Sequence, residues 1–168
     1  MLYQYLKENH QKILHWGLGF IQVRVNDDVN YHFYTDKISA NFDCETPHNH
    51  RRSFISEILA GVLQEKVLFV KEGGSLALTS NLCSVSEFGG YVRITSVDNN
   101  TYKKGDKYLR TPYEYHTVSS SNCVTRLEKF GDEHEVYSLG ETEPVEIVKY
   151  DEDFLWGIVE EMCNEHSL

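Results

Sequence analysis

The sequence predicts a mainly β domain: a closed barrel or double-sheet jelly roll of about ten short strands with a helix at each end. Three observations carry this. Short runs rich in β-branched and aromatic residues recur from residue 20 to residue 149, several of them alternating apolar with polar. Clusters of Asn, Asp, Gly and Ser punctuate them. Helical periodicity is confined to the two ends. The middle shows no strand–helix alternation, which disfavours a doubly wound α/β arrangement.

The elements follow in chain order. Residues 2–16 set Leu2, Leu6, Ile13 and Leu14 among polar residues, an amphipathic helix ended by Gly17. The barrel spans residues 18–149. Residues 20–25 alternate apolar and polar, as a half-buried strand does. Asn26-Asp27-Asp28 is a turn, and residues 29–35 return as the hairpin partner. Residues 55–63 and 66–71 are two further strands. Residues 91–97 precede a turn at Asp98-Asn99-Asn100, and residues 102–108 straddle another at Lys104-Gly105-Asp106. Residues 115–118, 123–130, 135–139 and 145–149 complete the strands. In the final segment, 151–165, Leu155, Ile158, Val159 and Met162 fall at i, i+3, i+4 and i+7, with Asp151 or Asp153 as N-cap.

Composition narrows the function. The 168 residues hold 16 Lys+Arg and 26 Asp+Glu, a net charge of −10. That opposes tracking along nucleic acid, which needs a positive face. No apolar run is long enough to span a membrane. The charged first residues are unlike a signal peptide, so a cytoplasmic location is expected. Cys44, Cys83, Cys123 and Cys163 form no CxxC pair and are expected to be reduced, buried thiols. An aromatic-rich chain of this size is compatible with a homodimer, although no residue specifies one.

Most of the eight histidines stand apart, but His48-Asn49-His50 does not. In extended chain, residues i and i+2 point to one face about 6 to 7 Å apart. Two imidazoles can then converge on one ion, and imidazole suits Fe, Zn, Cu or Ni. The string continues Arg51-Arg52-Ser53-Phe54, with Gly61 and Glu65 beyond. Further on, Gly105, Pro112 and His116 appear in that order. Lys103-Lys104-Gly105-Asp106-Lys107 is the densest basic cluster and reads as a solvated hairpin tip.

This pattern resembles the cupin superfamily. Its first motif is HxH, three or four residues, usually Glu, six residues, then Gly; its second holds Gly, Pro and a further His. His48, His50 and Gly61 match the first, with Phe54 at the usual Glu position. Gly105, Pro112 and His116 match the second loosely: Pro112 precedes His116 by four residues instead of five, the glycine between them is missing, and Asn122 lies later than the family's Asn. The resemblance implies a small β-barrel with a metal on His48, His50 and His116.

The missing Glu points within that superfamily to its three-histidine branch, similar to cysteine dioxygenase, which implies Fe(II), O₂ and a small anionic thiol or carboxylate substrate. Three neutral imidazoles leave the 2+ charge uncompensated, which favours an anionic co-ligand. That branch's Ser-x-His-x-Tyr run is replaced here by residues 125–130, Thr-Arg-Leu-Glu-Lys-Phe, and no Cys follows His50 closely. Both departures weigh against cysteine itself as substrate. Glu57 is a reserve ligand that would need a bulge to face inward. Arg52 shares the parity of His48 and His50, and with Arg24 and Arg126 it is a candidate for binding a substrate anion; Arg93 is a further mid-strand arginine. Tyr113 and Tyr115 are candidate catalytic phenols. The alternatives are a Zn, Mn or Ni cupin acting as isomerase or lyase, and a ligand-binding cupin without turnover.

Overall fold

The computed structural model describes residues 1–15, 17–39, 46–80, 87–140 and 148–168. In chain order the elements are α1 (Leu2–Asn9), β1 (Lys12–His15), β2 (Phe20–Arg24), β3 (Val29–Thr35), β4 (Ser53–Ser80), β5 (Glu87–Lys103), β6 (Lys107–Arg110), β7 (Tyr115–Ser119), β8 (Asn122–Phe130), β9 (Ser138–Leu139) and α2 (Glu152–Glu165). The chain is mainly β with a helix toward each end, as expected. Every strand pairing among the described residues is antiparallel.

The strands form a jelly-roll-like arrangement, not a closed barrel. The sheet path runs β1-β2-β3-β8-β4-β5, with β6, β7 and β9 also paired to β4. β1 and β5 lie at the two ends of this path and are not paired to each other. Closure is replaced by β4, which belongs to both leaves. Its first part, to Gly61, pairs with β8 and β6; its later part pairs with β5, β7 and β9.

Gly61 marks the change of leaf. Its φ is +74°, and a Cβ there would lie 2.0 Å from the Asn122 carbonyl oxygen. Only glycine takes that backbone angle and that approach without strain. Residues 55–63 and 66–71, expected as two strands, are therefore one bent strand. Gln64 and Glu65 hold the ladder between them, opposite Ser119 and Val118.

Three more expectations change. The first helix stops at Asn9, where His10 turns extended, and residues 12–15 are a strand with Ile13 facing Val23. Leu6 is the only buried residue of that helix, so sheet pairing of Ile13 outweighs a weak helical pattern. Asp98-Asn99-Asn100 is not a turn: all three pair with β4, opposite Val67, Lys66 and Glu65. Ladder hydrogen bonds there override turn propensity. The strand expected over residues 135–139 shrinks to Ser138–Leu139, and most of the one expected over 145–149 lies outside the described residues. The turn at Lys104–Gly105–Asp106 is as expected: the Asp106 carboxylate accepts the Lys103 backbone N–H at 2.8 Å.

Strand parity sorts the side chains into two layers. Ile21, Val23, Tyr31, Phe33 and Val124 face the helices, packing with Leu6, Leu155, Trp156 and Val159. Phe20, Tyr34, Phe54, Ile58, Tyr108, Cys123 and Leu127 face the opposite way and line the interior. Asp151 caps α2, accepting the Phe154 N–H at 2.7 Å. Cys123 and Cys163 are free and buried, and burial pushes their thiols up to about 12 and about 11. Cys44 and Cys83 lie outside the described residues. No described helix is long and apolar enough to cross a membrane.

Candidate metal centre

His48 reaches the interior through a backbone bridge. Its N–H donates to the His116 carbonyl at 3.1 Å, and the His116 N–H returns to the His48 carbonyl at 2.9 Å. This clamps a segment between β3 and β4 against β7. Asn49 points the other way and is buried. Its amide donates to the carbonyls of Pro112 at 2.9 Å and Glu135 at 3.1 Å, and its oxygen accepts the Tyr137 N–H at 2.7 Å. With Asn49 fastened behind, His48 and His50 both face inward.

Three imidazoles converge there. Ring centroids lie 5.2 Å apart for His48–His50, 5.3 Å for His48–His116 and 4.9 Å for His50–His116. One ring nitrogen from each falls within 4.8 Å of the other two. Phe54, at the position where the resemblance expects Glu, packs edge-on against His50 at 4.7 Å.

Hydrogen bonds set the tautomers. His116 Nδ1 lies 2.6 Å from Glu65 Oε1, and His48 Nδ1 lies 3.2 Å from the Thr46 carbonyl. A carbonyl or ionised carboxylate only accepts, so each Nδ1 carries a proton, and in the neutral ring each Nε2 keeps a lone pair. His50 Nε2 lies 2.7 Å from His116 Nε2 and is then the donor of that pair.

Burial and the neighbouring His116 ring bring His48 down to about 4, and burial with the two other rings holds His50 well below its ordinary value. These two rings are therefore neutral near pH 7. Burial opposes ionisation of Glu65, but hydrogen bonds from His116 and Arg110 outweigh it and keep the carboxyl below its usual range. Arg110 contacts both carboxylate oxygens: Nε donates to Oε1 at 2.8 Å, and a second nitrogen donates to Oε2. Tyr102 adds its hydroxyl at 3.1 Å.

The donor set fits a divalent cation. Metal-bound histidines usually donate their other N–H to a carboxylate or carbonyl, and His116 and His48 already do. An ion in this place would require His50 to move its proton to Nδ1. The adjoining cavity is small, about 40 Å³, and is lined by Phe20, Tyr34, Phe54, Tyr108 and Leu127 around a fourth histidine, His32. His32 stacks on Phe20 at 4.5 Å and meets the Gln22 amide at 3.0 Å.

The other expected site residues lie elsewhere. Arg52 sits at the outer rim, bound to Asp28 at 2.6 Å and to the Gly131 carbonyl at 3.1 Å. Its strand begins only at Ser53, so parity from His50 does not carry through it. Arg126 lies on the outer face with Glu128 at 2.9 Å. Glu57 also points outward, 3.3 Å from Lys107, and no bulge turns it in. Tyr113 is 74% exposed and meets the His134 ring edge-on at 5.3 Å. Tyr115 is buried with Leu68, Val92 and Leu139, on the side of β7 opposite His116. Neither phenol reaches the histidines. Arg93 is exposed on β5. Arg24 alone among the candidate arginines shares the interior face, two residues beyond Gln22.

Glu65, Arg110 and His32 were not singled out by the sequence. Glu65 had a faint signal, the Leu63-x-Glu65 that follows Gly61. Arg110 and His32 had none beyond strand alternation.

A scan against protein-family models finds no match, and a search of curated proteins finds none either. Among solved structures, a hydroquinone 1,2-dioxygenase in complex with Cd2+ and 4-hydroxybenzonitrile aligns over 84% of this chain and 77% of its own, at 10% identity and a TM-score of 0.36.

Proposed function

We propose that the protein is a metal-dependent cupin-type oxygenase, holding Fe(II) on His48, His50 and His116 and oxidising a small anionic substrate with O₂. The observation that carries this reading is the convergence of three ring nitrogens within 4.8 Å, two of them with the tautomer that ligation needs. The choice of iron and O₂ draws on the resemblance to three-histidine cupins. The ion, when bound, would supply redox chemistry and open positions where substrate and oxygen meet.

The chain's own residues do the rest. Glu65 orients His116 and balances part of the added charge from behind. The Thr46 carbonyl orients His48. Phe20, Phe54, Tyr108 and Leu127 keep bulk water from the histidines. Because no carboxylate of the described residues joins the histidines in the group, an anionic substrate is the natural fourth partner.

Elemental analysis of protein purified without chelator tests the first half. About one equivalent of iron in the wild type, lost in H48A and H116A, is expected. Unchanged metal content in both variants overturns the site. Oxygen uptake with Fe(II) and a panel of small thiols and carboxylic acids tests the second half. No uptake with any of them overturns the oxygenase reading and leaves the metal site standing.

A further inference from the structure

Strand register extends the interior face beyond the histidine cavity. Gln22 faces His32, and Arg24 faces Asn30, across β2 and β3. Asn30 faces Leu127 across β3 and β8, and Lys129 faces Phe54 across β8 and β4. Leu127, His32 and Phe54 are cavity walls. Arg24 and Lys129 are thus the next side chains outward on the same face, Lys129 directly beside the ring that packs on His50.

Neither cation has an ion-pair partner among the described residues, although Asp27 and Asp28 are near. Asp28 is engaged by Arg52 at 2.6 Å. Arg24 Nε is buried with no hydrogen-bond partner. Lys129 has only the neutral Asn30 amide, whose oxygen, in its satisfied orientation, accepts from Lys129 Nζ at 3.2 Å and from Gln22 at 3.0 Å. Two partly buried cations that make no ion pair are costly, and a bound anion lowers the cost.

The alternative way out of the cavity points the same way. Leu18, Tyr34 and Val118 border both the cavity and a groove whose lining includes Asp36 and no cation. A negative group is repelled there and attracted at Arg24 and Lys129. The roughly 40 Å³ at the histidines holds only a small reacting group. The remainder of a substrate must lie beyond it.

We propose that Arg24 and Lys129 form the oxyanion-binding end of the substrate site, taking the carboxylate or phosphate of a substrate whose other end reaches the three histidines. The second clause rests on the metal-centre reading; the first does not. Arg24 presents a planar fork suited to two oxygens of one anion, and Lys129 adds a point charge.

The test uses the full-length chain freed of metal, titrated calorimetrically with succinate and separately with inorganic phosphate. One of the two is expected to bind, which also tells carboxylate from phosphate. R24Q and K129Q should each weaken it at least tenfold. R24K should recover part of the loss, and R93Q, at an exposed arginine on β5, should change affinity less than twofold. H50A should bind the anion as the wild type does. Melting temperatures confirm that the variants fold. Failure of both anions to bind overturns the proposal, as does wild-type affinity in R24Q and K129Q. Metal content, measured separately, is expected to be unchanged in both variants. A wild type without metal removes the histidine reading but leaves the anion result to be judged by the titrations alone.

Discussion

Glu65 accepts the Nδ1 proton of His116 at 2.6 Å while Arg110 grips the same carboxylate from its other side. The three residues come from β4, β7 and β6, so one hydrogen-bonded line ties three strands to one ligand. Replacing Glu65 with Gln keeps an acceptor and removes the charge. Metal affinity, read by competition with a chromophoric chelator, should fall about 10- to 100-fold. R110M should instead act on folding, by about 3 kcal/mol or more, since it leaves a buried carboxylate without its cation.

Asn49 holds the two inward histidines from behind through three hydrogen bonds to backbone groups. N49A leaves two carbonyls and one N–H unsatisfied. A stability loss of about 2–3 kcal/mol is expected in urea denaturation. Metal occupancy should drop as well, because His48 and His50 lose their fixed spacing. N49D keeps the acceptor but sets a buried carboxylate oxygen against the Pro112 and Glu135 carbonyls, and should cost at least as much as N49A.

Gly61→Ala places a methyl group 2.0 Å from a backbone oxygen and forces an unfavourable φ. The neighbour is main chain, so it cannot swing aside. A loss of about 3 kcal/mol or more is expected, or about 10 °C in melting temperature for a chain of this size. Wild-type stability in G61A would show that β4 can bend elsewhere.

His32 gives stability a pH dependence with a definite sign. Burial, aided by nearby Lys129, lowers it from 6.5 to about 3 in the folded protein. The unfolded chain therefore takes up the proton first as pH falls. Stability from this group is complete above about pH 6.5 and is lost progressively between pH 6.5 and pH 3, by a few kcal/mol in all. H32Q should flatten the slope of unfolding free energy over that interval; an unaltered slope would place the titration elsewhere.

The parts of the fold visible in the sequence are those fixed by local chemistry. Strand alternation in residues 20–25 and 29–35, the turn at Gly105 and the cap at Asp151 are decided by near neighbours. So is the pairing of His48 with His50, since two-residue spacing sets their common face. What the sequence hid depends on distant pairing. Ile13 becomes a strand residue because Val23 is opposite it, and Asp98 stays extended because Val67 is opposite. Parity misled at Arg52 for the same reason: residues 51 and 52 are bent, and the side chain meets Asp28. Glu65 and Arg110 could not be linked to His116 because the contact joins residues 51 and 45 positions apart.

The two-leaved course of β4 also bears on how the molecule assembles. That single strand pairs with β5, β6, β7, β8 and β9. It carries the Phe54 wall, the Gly61 bend and the Glu65 partner of His116. The close approach of Gly61 to Asn122 and the contact of Glu65 with His116 both wait until chain from beyond residue 107 has folded back. Contacts of such long range slow folding, because loop closure is entropically costly before it is rewarded. A chain still emerging during synthesis would display His48 and His50 but could not complete the trio. The site is thus self-timed, closing only when nearly all of the β structure is in place, and a partly folded chain offers a metal ion no finished set of three.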